Sequence, residues 1–168
     1  MEINTDLALL IVRLVVGVLM MGHGAQKLLG WFGGHGLAGT TGWLESMGLR
    51  PAGFWALSAG VAEMGGGLLL ALGLLTPLGA IGVGAAMLMA ILLVHGTKLW
   101  VTDGGGEYNL VLVVTSIALI LTGPGAYSLD AALGIALDPT LIIAVAVLAV
   151  LGLTVALTTK RAPAPQQA

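Results

Sequence analysis

The chain of 168 residues contains no cysteine, and only 8% of its residues are charged. The first absence excludes disulfides, thiolate-held iron–sulfur clusters and any thiol relay within the chain. The second excludes a water-soluble globule, because a soluble domain carries roughly a quarter charged residues. No basic run exists that could track a phosphate backbone, and the net charge is −2, so nucleic acid is excluded as a partner. No repeat of roughly 20–50 residues is visible. The basic leader of a secretory signal is missing too. Glu2 and Asp6 precede the first apolar run and Arg13 interrupts it, so a run of spanning length reads as a retained helix.

What is present is apolar. Hydrophobic residues make up 58% of the chain, and the natural solvent for such a composition is lipid. A spanning helix needs about 20 mostly apolar residues. Four stretches are predicted to supply one: Leu7–Leu29, Phe54–Leu75, Leu78–Leu99 and Leu141–Thr159. A shorter fifth, Glu107–Thr122, stops at Gly123-Pro124-Gly125. Residues 30–53 are glycine-rich yet hold Trp31, Phe32, Trp43 and Leu44. Tryptophan favours the headgroup level, which predicts an interfacial loop with a short amphipathic helix near Trp43–Met47. The Pro/Ala/Gln composition of 161–168 predicts a disordered tail. The fold class is all-α, a polytopic transmembrane helix bundle.

Five spans place Lys27, Arg50, Lys98, Lys160 and Arg161 on one side, opposite Glu2, Asp6, Asp130 and Asp138. The positive-inside rule then predicts an outer N-terminus and a cytoplasmic C-terminus. Glycine accounts for 27 residues, many within the spans, and small residues let helix backbones approach where lipid supplies no hydrophobic drive.

The polar residues inside the spans are few enough to weigh singly. Arg13, Gly17, Met20, Gly24 and Lys27 share a helical stripe, with His23 beside it. A charge within a span costs at least a few kcal/mol unless it snorkels or finds a partner. Lys27 can snorkel, whereas Arg13 calls for a partner. Glu63 lies near the centre of its span, with Gly60 and Gly67 on the same face. Such a carboxyl is protonated, or pairs with a cation, or lines a wet cavity. His95 and Lys98 end a stripe on the third span, and Glu107 opens the fourth. Counted from their inner helix ends, His23 and His95 lie at similar depth. They are predicted to line one pocket with Glu63 above them and Glu107 at its mouth. Blander readings stand beside this one: Arg13 and Glu63 as a structural pair, the histidines bonded to backbone carbonyls, and Glu107 as a first-turn carboxylate favoured by the helix dipole. Haem ligation by the two histidines has no supporting signature.

These residues resemble a known family. Arg13, then Gly22-His23-Gly24-Ala25-Gln26-Lys27-Leu28 and Gly30-Trp31-Phe32-Gly33-Gly34, look like the first helix and loop of the DoxX family. Trp43-Leu44-Glu45, Ala62-Glu63, Gly66-Gly67 and Leu72-Gly73-Leu74-Leu75-Thr76 continue the likeness. His95, Glu107 and Gly123-Pro124-Gly125-Ala126-Tyr127-Ser128-Leu129-Asp130 complete it. The resemblance covers about 8–134 and implies a four-helix unit over 1–134, with a fifth helix appended over 135–160. It further implies a prokaryotic cell (inner) membrane protein linked to quinone handling and membrane redox complexes.

The leading expectation is therefore an accessory subunit of a membrane redox system that binds a quinone-like molecule, with no covalently bound cofactor and no metal. Arg13, His23, Lys27, Glu63 and His95 are the candidate ligand-binding residues; Glu63, His95 and Glu107 are the candidate proton-handling ones. Electrons would come from a soluble or membrane partner protein, since no cofactor motif is present. The alternatives are a small-solute permease with Glu63 as its proton-coupled carboxylate, and a membrane scaffold for soluble redox enzymes.

Overall fold

A computed structural model of the chain describes residues 4–161. Among these residues there is no strand, and the helices are α1 Thr5–Leu29, α2 Gly36–Ser46, α3 Ala52–Leu72, α4 Thr76–Ala90, α5 Glu107–Thr122, α6 Leu129–Leu133 and α7 Pro139–Thr158. A π-helical turn, Ile91–His95, extends α4. Counting it with α4, four helices (α1, α3, α4 and α7) are long and apolar enough to cross a membrane. With 16 residues α5 is shorter, about 24 Å at 1.5 Å per residue against a hydrocarbon core of about 30 Å. Of the tail expected over 161–168, only Arg161 falls among the described residues.

Local chemistry sets the helix ends. The Asn4 side chain accepts a hydrogen bond from the Leu7 amide at 2.9 Å and starts α1. Asp138 does the same for Thr140 at 2.7 Å, with Pro139 at the first position of α7; the Thr140 hydrogen bonds hold the Asp138 carboxyl below the usual carboxylate range. Gly73, left-handed at φ 62°, ends α3 before the expected Leu75. The third span also stops short of the predicted Leu99. Its last turn bonds the Gly96 amide to the Ile91 carbonyl at 2.8 Å, Gly96 then turns to φ 58°, and Lys98 falls in a loop, not on a helical stripe.

Glycine governs the packing. A methyl group on Gly17 would overlap the backbone of Gly67 and Ala71 on α3, and one on Gly67 would overlap Gly17 and Met21 on α1. Gly24 is pressed as closely against Met64, and Leu28 against Gly60. On its other side α3 meets α4 through Gly66 and Gly79. Thus α3 lies between α1 and α4, while α5 and α7 both pack on α4. Val16, Met20, Leu70, Val83, Leu112 and Leu119 fill the space between these contacts. On α1 the opposite face, including Val15 and Val18, is more than half exposed, as a lipid-facing surface should be.

The two ends differ. At one, Asp6 accepts from the Ala126 amide at 2.8 Å and Asp130 meets the α3–α4 turn. At the other, the Arg161 amide donates to the Gly48 carbonyl at 2.9 Å, joining the end of α7 to the α2–α3 loop. Asp6, Asp130 and Asp138 therefore gather at one end, and Lys27, Arg50, Lys98, Lys160 and Arg161 at the other.

Candidate functional site

Near the basic end, α1, α3, α4 and α5 line a partly open cavity of about 380 Å³, with α2 and α7 adding to its walls. Its floor holds an ion pair: the Lys27 ammonium donates to a carboxylate oxygen of Glu63. The Glu63 side chain is 3% exposed and that of Lys27 is 27% exposed. The glycine contacts create this pairing. Seating Gly24 on Met64 and Leu28 on Gly60 slides α1 along α3 until Lys27 stands within one turn of Glu63. A carboxylate so deeply placed is tolerated because a cation neutralises it, although an ion pair in low dielectric is weak evidence of net stabilisation. Lys27 also occupies the last turn of α1, where the helix dipole favours a cation.

Neighbouring groups fix the surroundings. The Thr40 hydroxyl of α2 shares its one proton between the Gly36 carbonyl at 2.9 Å and the Lys27 carbonyl at 3.1 Å, so α2 hangs on the end of α1. The rings of His23 and Tyr108 meet with centroids 6.0 Å apart, tilted at 45°. Asn109 donates to the Met87 sulfur at 3.3 Å. The remaining walls are apolar, formed by small side chains of α3, α4 and α7 together with Trp43, Leu44 and Trp55. The result is a mostly apolar chamber with donors and a carboxylate converging at one place, as in many small-molecule sites.

The cavity brings together His23, Lys27 and Glu63 but not the other predicted site residues. Arg13 lies 14 positions before Lys27, about 21 Å along α1. Fully buried, it donates to the carbonyls of Leu70 at 3.3 Å and Tyr127 at 2.5 Å. Neither the predicted ligand role nor the Arg13–Glu63 structural pair fits that position. Asp130 accepts from the Leu75 and Thr76 amides at 2.7 and 3.0 Å, capping α4, which has no cap of its own. Residues 123–130 thus form a structural clasp that binds α5 back to α1 and to the α3–α4 turn.

His95 departs from expectation because of the π turn. An extra residue in the last turn rotates its ring out of the cavity; Nδ1 meets the Gly104 carbonyl at 2.8 Å and the ring packs on Gly106. His95 braces a loop, which was the blander reading. Glu107 does not line the cavity either. Its amide donates to the Leu99 carbonyl at 2.9 Å, and it stands in the first turn of α5. The residues of α5 that do line it are Tyr108 and Asn109, which follow Glu107 and are not among the expected site residues. A signal was present: Asn109 begins the stripe Leu112, Ser116, Leu119 that α5 buries, while Glu107 lies off it. Among the described residues no three His, Asp or Glu side chains come together as metal ligands.

No curated protein and no solved structure matches the chain. Compared with protein-family models, residues 8–96 match DoxX. That segment runs from α1 to the π turn and contains His23, Lys27 and Glu63, whereas the resemblance read at Glu107 and 123–130 lies beyond it. With the match covering more than half of its length, and with helices of membrane-crossing character, the chain belongs to the DoxX family and is a multi-pass integral membrane protein.

Proposed function

We propose that this protein is an accessory subunit of a membrane redox system and that its cavity holds the headgroup of a quinone-like, lipid-soluble molecule. The observation that supports this most is the meeting of Lys27, Glu63, His23 and Tyr108 inside mostly apolar walls. A quinone ring is flat and apolar on its faces and carries two carbonyl oxygens that need donors. Lys27, His23 and Tyr108 can donate to them, while Met87, Trp43 and alanine methyls can cover the ring. The volume falls within the range of about 300–1,000 Å³ usual for small-molecule sites.

Reduction of a bound quinone to quinol takes up two electrons and two protons. The electrons are assigned to a soluble or membrane redox protein acting as donor. The two protons come from water and are relayed to the ring through the cavity's exchangeable groups, Glu63 and His23, each reprotonated by way of the rim, where Tyr108 is 43% exposed. We place the basic end in the cytoplasm of a prokaryotic cell, on the grounds that five of the six lysines and arginines gather there. On that orientation the cavity takes its protons from the cytoplasmic side. A permease reading lacks comparable support. Transporter sites use paired, interrupted helices, and here α1, α3 and α7 are unbroken.

The test is to purify the protein in mild detergent, extract it and identify co-purifying quinones by mass spectrometry. Quinone affinity is then measured for the wild type and for His23→Ala, Tyr108→Phe and His95→Ala. Loss of one hydrogen bond should weaken binding about threefold to tenfold in the first two variants. His95→Ala should bind as the wild type does. Failure of the wild type to retain or bind any quinone would remove the proposal, and so would equal weakening by all three substitutions.

A further inference from the structure

We infer that the ligand of this cavity is a headgroup bearing a long apolar chain, and that the chain leaves toward lipid between α4 and α7, past Ala149 and Gly152. The inference rests on the quinone reading of the polar cluster and adds to it the ligand's class and the residue that selects for it.

Three observations carry it. First, the cavity is too large for a ring alone: an apolar space of about 150 Å³ already admits benzene, and this one has about 380 Å³. Second, α4 and α7 line the cavity with apolar residues only, and several of these are short: Ala85, Ala86 and Ala90 on α4, and Ala149 and Gly152 on α7, the last beside Leu153. Third, Gly152 has no packing reason to be glycine. A Cβ there would meet nothing within 4 Å, in contrast to Gly17, Gly24 and Gly67, where it would strike a neighbouring backbone. The missing side chain leaves a passage, not a helix contact.

The mounting of α7 suits such a portal. Ala156 is fully buried and the Arg161 amide is bonded to Gly48, so the helix is fixed near its basic end. One turn before Ala156, Gly152 faces the cavity, while Val147 and Val150 on the outer face are 51% and 58% exposed. A chain leaving at Gly152 enters lipid directly, where its methylenes are kept from water without any further protein contact. The head is held by polar groups and the tail by the bilayer.

The experiment compares two benzoquinones with the same headgroup, one bearing only methyl-sized substituents and one a decyl chain, on the purified full-length protein. The decyl compound should bind the wild type more tightly. Gly152→Leu, which places a side chain in the passage, should weaken decyl-quinone binding about tenfold and leave the short compound unaffected. Val147→Phe, on the outer face, should change neither. If Gly152→Leu does not fold, a decyl-quinone with a photoreactive group at the chain end is cross-linked to the wild type, and its adducts should map to α4 and α7. Equal wild-type affinity for the two compounds, equal weakening of both by Gly152→Leu, no effect of Gly152→Leu on either, or adducts confined to other helices overturns the portal and leaves the headgroup site standing. Absence of binding by either compound to the wild type overturns both.

Discussion

Removing one member of the Lys27–Glu63 pair should have very different consequences depending on which member goes. The Glu63 side chain is 3% exposed, and among the described residues no second lysine or arginine pairs with it, because Arg13 lies toward the opposite end of α1 bonded to Leu70 and Tyr127. Lys27→Met therefore strands a buried carboxylate without its cation. Breaking a buried pair in this way costs about 3–5 kcal/mol. At about 2–4 °C per kcal/mol for a chain of this size, the unfolding midpoint should fall by about 6–20 °C. Glu63→Gln leaves Lys27 instead, with 27% of its side chain exposed and a stem long enough to bring its ammonium to water. The amide oxygen can still accept from it, so the cost should be about 1 kcal/mol, or about 2–4 °C. In the double variant Lys27→Met/Glu63→Gln no charge is stranded, and the coupling between the sites should be about 2–3 kcal/mol. The assay is thermal unfolding of the detergent-solubilised protein at neutral pH, followed by tryptophan fluorescence. If Glu63→Gln destabilises as much as Lys27→Met, or if the two substitutions simply add, the pair is not the compensating contact inferred above.

Three further outcomes are expected. Gly67→Val should force α1 and α3 apart and abolish the folded protein, whereas Gly65→Ala, where an added methyl meets nothing within 4 Å, should be neutral or stabilise by up to about 1 kcal/mol; unfolding midpoints decide both. Asp130→Ala should leave the Leu75 and Thr76 amides without an acceptor and cost about 1–3 kcal/mol, while Asp130→Asn, keeping one acceptor oxygen, should cost less; the same unfolding assay orders the two. A cysteine introduced at Asp138 should react with a membrane-impermeant maleimide added outside intact cells and one at Arg50 should not, and the reverse pattern would invert the proposed orientation.

Much of the architecture was readable because a lipid solvent makes sequence rules stringent. The apolar runs located the spans to within a few residues, apart from the end of the third. The stripe Arg13, Gly17, Met20, Gly24 on α1 is the face that α1 buries. Glu63 was identifiable as an inward-facing group because a carboxylate at that depth has few alternatives. Its partner was not readable. Counting from the ends of each helix takes those ends as level, but the contacts of Leu28 with Gly60 and Gly24 with Met64 stagger α3 past the end of α1. That stagger chooses Lys27 over Arg13, and it depends on three-dimensional fit. His95 was misplaced for a second reason: equal depth says nothing of rotation, and the π turn changes the rotation. The contribution of α7 to the cavity was equally hidden, since an almost uniformly apolar helix carries no stripe from which to choose a face.

The π turn makes backbone length a determinant of cavity chemistry. One residue on an α-helix corresponds to about 100° of rotation, and Ile91–His95 holds one residue more than the helix needs. Deleting a single residue from this segment would restore regular geometry and carry the histidine into the place that Val94, a cavity-lining residue, now holds. Ala90 and Met87, the preceding residues on that face, line the cavity too. The polar cluster would then gain a second imidazole with no substitution made. In related proteins that differ here by one position in length, an aligned histidine would therefore not signify a shared site. Whether the turn is α or π would decide if that residue is a loop brace or a group facing the ligand.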